Sequence, residues 1–280
     1  MTDCRINWHS AIVSAMKIEL ADYQDILSYQ SEIVLNTGQR RGDLLITKAD
    51  NSRSIASPIG RIFQKYNLIE YKGPGDSLGI QNYYKSLSYI YSFPTHFHSD
   101  KILEDTSLTL ISHSFPQKLW NHLKRKNLHP AHKSSQNSLE KMLPGLYHIN
   151  TEMIPTQLVV TSQLTGEEYL WLQSLTNSLP TDSLQRVAAA YRQHENEPDY
   201  QTYMNTLIRA NKLSRGEDER MLCEALEELF ADEMRKQEKN GMHKVNQLYE
   251  KLLSSNRLDD WQKSVTDESY QQKLLKEYGI

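Results

Sequence analysis

Apolar positions along the first 180 residues alternate between a helical and a two-residue period. From Trp8 to Asp22, Ile12, Ala15, Met16 and Glu19 fall at helical spacing, which predicts an amphipathic helix. Ser31–Leu35 and Asp43–Thr47 read as strands joined through Asn36-Thr37-Gly38, a turn signal. Ser57-Pro58-Ile59-Gly60 opens a short bridge into a third strand, Asn67–Lys72. Leu78–Ser92 carries Ile80, Tyr83, Tyr84, Leu87, Ile90 and Tyr91, a helix whose aromatics are expected to pack on a sheet rather than stack on bases. A strand at Ser107–Ser112, a helix at Pro116–Lys126, a polar loop at Asn127–Lys141 and β segments at Leu146–Ile149 and Gln157–Thr161 follow. From Thr165 onward the signals are helical only. They cover Glu167–Leu179, a pair over Asp182–Ala210 broken near Glu197-Pro198, one or two helices across Arg220–Leu253, and Leu258–Ile280 with a start signal at Thr266. The pattern predicts an α/β domain over residues 1–180 and a helical C-terminal region over 181–280.

Two of the apolar runs carry ionisable groups. Asp43 opens Leu44-Leu45-Ile46, and Glu70 and Lys72 end the strand that contains Leu68 and Ile69. Side chains alternate along a strand, so Glu70 and Lys72 share one face and Tyr71 takes the other. Burial disfavours such groups unless something compensates them. Two carboxylates with an ammonium suit a hard divalent cation held by oxygens, with the lysine beside a bound water. By spacing alone, a structural ion pair accounts for the same residues. Gly73-Pro74-Gly75 then ends the strand as a turn.

With Asp43-Leu44-Leu45-Ile46, the run Ile59–Lys72, Asp76-Ser77-Leu78 and Tyr84-Lys85, the chain resembles the PD-(D/E)XK nuclease superfamily. More narrowly it resembles the Rpn-like recombination-promoting nucleases and putative transposases. The likeness is densest from Ile12 to Tyr91 and thins toward the helical tail. It implies a restriction-endonuclease-like αβββαβ core with a mixed sheet. In that core Asp43 and Glu70 bind Mg²⁺, with Mn²⁺ as substitute, the Tyr71 carbonyl is a further ligand, and Lys72 activates or orients the attacking water. Glu19 matches the additional acidic residue that many members carry on the first helix, and Gln81 matches a glutamine found near the metal in some related nucleases. The implied activity is metal-dependent endonucleolytic hydrolysis of DNA, linked to recombination, transposition or defence. The alternative is a non-catalytic nucleic-acid-binding or assembly module on the same fold.

Composition narrows the setting. Hydrophobic residues make up 38% and charged residues 24%, and no run approaches the roughly 18 apolar residues of a membrane span. MTDCRINWHS has neither the basic start nor the apolar stretch of a signal peptide, so a cytoplasmic protein is expected. Cys4 and Cys223 read as free thiols. The net charge of −3 speaks against a generic nucleic-acid binder, but it is unevenly spread. His113 to Lys133 holds Lys118, Lys124, Arg125, Lys126 and Lys133 with no acid, whereas Gly216 to Glu238 is rich in acids. The basic stretch reads either as a phosphate-tracking surface or as a solvated helix face. The apolar stripe of the tail reads as intramolecular core or as the surface of a homodimer. His96 and His98 alternate as zinc ligands do but have no further ligand near them in sequence, and read as surface histidines. Gly73-Pro74-Gly75 lacks the Lys-Ser/Thr of a phosphate loop.

Overall fold

The computed structural model describes residues 6–34, 41–94, 101–127, 139–150, 153–214, 239 and 241–280. Among them, β1 (Leu27–Val34), β2 (Arg41–Lys48), β3 (Tyr66–Lys72), β4 (Thr106–Ser112), β5 (Leu139–Leu143), β6 (Leu146–Ile149) and β7 (Thr156–Val160) form one mixed sheet in the order β1-β2-β3-β4-β7-β6-β5. β1, β2 and β3 are successively antiparallel, β4 runs parallel to β3, and β7 runs parallel to β4. β6 and β5 return antiparallel. The helices are α1 (Trp8–Glu19), α2 (Ile80–Tyr91), α3 (Gln117–Asn127), α4 (Leu170–Gln173), α5 (Thr181–Tyr191), α6 (Pro198–Ser214), α7 (241–254), α8 (Leu258–Thr266) and α9 (Glu268–Glu277). Through Ser112 the order of the main elements is therefore α, three β, α, β.

Burial follows position in the sheet. Every residue of β4 and β7 is buried, as expected of strands covered on both faces, and the Thr, Ser and Gln side chains among them are buried with the apolar ones. On one face Leu45, Leu68, Leu108, Leu110 and Leu158 meet Tyr83, Leu87 and Ile90 of α2 and Leu119 and Leu123 of α3. Each such leucine contributes about 1.5–3 kcal/mol by leaving water. Asp43, Glu70 and Lys72 have the same parity as Leu45 and Leu68, so they emerge on the α2 side near the end of that core. Buried Asn67 fixes the strands beneath them. Its Nδ2 donates to the Ile46 and Gln64 carbonyls at 3.0 and 2.7 Å, and its Oδ1 accepts from Gln64 N and Ser107 Oγ at 2.7 and 2.6 Å. An amide with all these bonds made pins β2, β3 and β4 in one register.

The chain divides into two compact units, residues 1–216 and 217–280. This boundary lies later than 180/181 because α6 packs along α1, with Lys17 Nζ 3.0 Å from Asp199 Oδ1. The second unit has its own core of Leu248, Leu252, Leu274 and Leu275. Among the described residues no helix is long and apolar enough to cross a membrane.

Several elements differ from expectation. β1 starts at Leu27 rather than Ser31, since its pairing with β2 runs back to Leu27↔Lys48. Leu139–Leu143 is a strand, not the end of a loop; as the edge of the sheet it is largely exposed and lacks the buried alternation that marks a strand. Within Glu167–Leu179 only Leu170–Gln173 is α-helical, preceded by a short 3-10 turn. The turn at Asn36-Thr37-Gly38, His96, His98, the segment 128–138, Cys4, Cys223 and the acidic run 216–238 lie outside the described residues.

Candidate active site

The pairing of β2 with β3 runs as far as Leu44↔Ile69, and continuing its register sets Asp43 opposite Glu70. There the Asp43 side chain takes over from the backbone: its Oδ2 accepts the Tyr71 N–H at 2.8 Å. Glu70 is 2% exposed, so its charge must be compensated within the protein. Lys72, two residues on and on the same face, donates from Nζ to Glu70 Oε1 at 2.9 Å and to the Tyr71 carbonyl at 3.3 Å. The Lys72 side chain is 22% exposed and links the buried carboxylate to solvent.

Burial pushes the Glu70 carboxyl above its ordinary value, and the Asp43 charge adds to the rise; Lys72 and then Lys85 oppose it. Two carboxylates held this close favour a proton or a cation between them. Lys85 lies on α2, near enough for its charge to act on the pair. Its ammonium lies 5.3 Å from the centre of the Tyr89 ring, and its pKa is raised, first by Tyr89 and then by Glu70 and Asp43. From α1, His9 Nδ1 approaches Asp43 Oδ1 to 3.9 Å, beyond hydrogen-bond reach. A cavity of about 570 Å³ opens beside Asp43, with Trp8, His9, Tyr71, Gly73 and Asp76 in its wall.

The structure thus brings Asp43, Glu70, Lys72 and the Tyr71 backbone together. It does not bring Glu19 to them. Glu19 lies ten residues beyond His9 on α1, about 15 Å along the helix axis. Its Oε1 accepts the Trp171 and Leu172 N–H groups at 2.9 and 3.0 Å, capping α4. Burial outweighs those bonds and pushes its pKa up to about 8. Gln81 is exposed in the first turn of α2, one turn before Lys85 and on the same helix face. Sequence reasoning missed His9 and gave Lys85 only as a basic residue near the motif that could meet DNA. The helical phase of Lys85 with Gln81 was the signal that could have set it on the carboxylate side of α2.

Searches of protein-family models, curated proteins and solved structures find no match to this chain. Among the described residues no three His, Cys, Asp or Glu side chains gather as a metal-ligand group. The donor set that is present consists of oxygens: the Asp43 and Glu70 carboxylates and the Tyr71 carbonyl. Such a set fits a hard cation whose remaining positions are filled by water. Lys72 Nζ now satisfies two of these three donors, so a cation there would share them with the ammonium.

Proposed function

We propose that this chain is a metal-dependent endonuclease of the PD-(D/E)XK type that hydrolyses DNA phosphodiester bonds. The observation that carries the reading is Asp43 facing buried Glu70 across adjacent antiparallel strands, with Lys72 on the Glu70 carboxylate. The α-β-β-β-α-β order through Ser112 supports it as a restriction-endonuclease-like core. Asp43, Glu70 and the Tyr71 carbonyl would hold Mg²⁺ or Mn²⁺, which when bound supplies charge neutralisation at the scissile phosphate and an acidified water. The remaining roles belong to the chain. The Tyr71 N–H orients Asp43, Lys72 Nζ positions the attacking water, and Lys85 adds positive charge beside the two carboxylates.

A plasmid-nicking assay with Mg²⁺ or Mn²⁺ tests the reading. Asp43→Ala, Glu70→Ala and Lys72→Ala are each expected to lower cleavage by roughly 10²–10⁴. Calorimetry should show Mn²⁺ binding that Asp43→Ala and Glu70→Ala weaken and Lys72→Ala largely preserves. Equal affinity in all variants removes the metal site, and Lys72→Ala cutting at the wild-type rate removes the assigned mechanism. One observation favours a second reading, a non-catalytic nucleic-acid-binding module: Lys72 already compensates Glu70 as an ion pair. A wild type that binds DNA but cuts neither DNA nor RNA with any divalent metal would select it.

A further inference from the structure

Among the described residues, the only aromatic side chains exposed by more than about a third are Tyr84, at 39%, and Tyr91, at 45%. Both lie on α2, seven residues apart, hence on one face and about 10 Å apart along the axis. Their neighbours Tyr83 and Tyr89 are buried and pack on the sheet, so the helix divides its tyrosines between core and surface. The ring of Tyr84 is held in place. Its hydroxyl pairs with His122 Nε2 of α3 at 3.0 Å, and Tyr83 meets it edge-on with ring centres 5.2 Å apart.

α2 and α3 pack together, and neither contains an aspartate or glutamate. They carry exposed Lys85, Lys118, Lys124 and Arg125 on a protein whose net charge is −3. α2 packs on β3 and begins at Ile80, eight residues after Lys72 ends that strand, so the Tyr84 end of the face lies nearer the carboxylate pair than the Tyr91 end. Cations interleaved with presented aromatic rings suit a strand whose bases are unpaired: phosphates meet the lysines while bases stack on rings. A duplex keeps its bases inside and offers the rings little.

We propose that the α2–α3 face binds single-stranded DNA, stacking unpaired bases on Tyr84 and Tyr91 and leading the strand to Asp43 and Glu70. The choice of single strand stands on the face itself; the delivery of that strand to the carboxylates rests on the nuclease reading above. The test is fluorescence anisotropy of the full chain in EDTA, with labelled oligo-dT, an abasic strand of equal length, oligo-U and a blunt duplex. Tyr84→Ala and Tyr91→Ala should each weaken oligo-dT binding about tenfold. Tyr84→Phe should keep it, and the weak duplex binding should not change. Joint Lys118→Glu, Lys124→Glu and Arg125→Glu should flatten the salt dependence by about 0.7 for each phosphate no longer neutralised. Circular dichroism of each variant separates weakened binding from unfolding.

Equal oligo-dT affinity in folded wild type and both alanine variants overturns the proposal. So does abasic or duplex binding as tight as oligo-dT, and tighter binding of oligo-U overturns the assignment to DNA. The two readings fail separately. Tyrosine-dependent oligo-dT binding without cleavage under Mg²⁺ or Mn²⁺ removes the nuclease reading and keeps the face. Plasmid nicking with oligo-dT binding indifferent to both tyrosines removes the face and keeps the nuclease reading.

Discussion

Glu19 shows how one side chain's partners decide its role. Its carboxyl titrates near 8 in the folded chain because burial outweighs the N–H bonds from Leu172 and Trp171. Unfolded, it returns to the ordinary value of 4.5. The folded state therefore holds the proton more tightly, and the stability it contributes is present below about pH 4.5 and is lost as pH rises through about 8. Thermal melts should show Tm falling between pH 5 and pH 8 (the window is roughly that of the shift), and Glu19→Gln should flatten that fall. Its amide oxygen can still accept the two N–H groups, so plasmid nicking should be unchanged, whereas a catalytic Glu19 would lose activity in the same variant. Asp43, Glu70 and Lys72 were legible in the sequence because strand alternation sets the face of a side chain without reference to anything distant. Glu19 was not, because helical spacing sets a face but not the segment 152 residues away that it caps. His9 comes to Asp43 only through the packing of α1, which no local pattern encodes.

Strand segments buried on both faces were legible, as β3, β4 and β7 show: the segments read around Leu68-Ile69, Leu108–Ile111 and Leu158–Val160 coincide with the strands to within a residue. β5 was not, since an exposed edge strand needs no apolar alternation and is held by β6 alone. The Glu167–Leu179 periodicity misled for another reason. The Asn211 side chain takes the Leu179 N–H at 2.8 Å and donates to the Thr176 carbonyl at 2.8 Å, satisfying an irregular backbone where helix bonds were expected. The β5–β6 hairpin turns at Gly145, whose φ is +78° and whose added Cβ would stand 2.7 Å from Leu164 N and 2.8 Å from the Val160 carbonyl oxygen. Gly145→Ala therefore combines left-handed strain with a clash against backbone, at a cost above the roughly 1–2 kcal/mol of the strain alone. Gly75, at φ +89° with open space around it, carries only the strain. Urea unfolding should show a lower midpoint for both alanine variants with unchanged slope, and the larger drop for Gly145→Ala. A smaller loss at Gly145 than at Gly75 would mean the turn relaxes away from Leu164.

At the scale of the whole molecule, the candidate site belongs to one compact unit. His9, Asp43, Glu70, Lys72 and Lys85 come from α1, β2, β3 and α2, all within residues 1–216. The unit 217–280 buries Leu248, Leu252, Leu274 and Leu275 against Tyr249, Trp261 and Tyr270, a core assembled from its own three described helices. Among the described residues, each of these two cores is built from its own unit. A chain ending at Gly216 should therefore melt in one cooperative transition and bind Mn²⁺ with the affinity of the full chain, if the full chain binds it. Loss of cooperativity or of Mn²⁺ binding on truncation would show that residues 217–280 complete the first unit. The same two lengths test self-association. Exposed Met242, Leu253, Leu258 and Val265 lie in the second unit and exposed Met142, Leu143 and Met153 in the first; if the helical tail carries the self-association surface, sedimentation should find a homodimer in the full chain and only monomer in the shortened one. A dimer that survives truncation would move the self-association surface to the α/β unit, where Met142, Leu143, Met153 and the exposed tyrosines of α2 would become candidates for it.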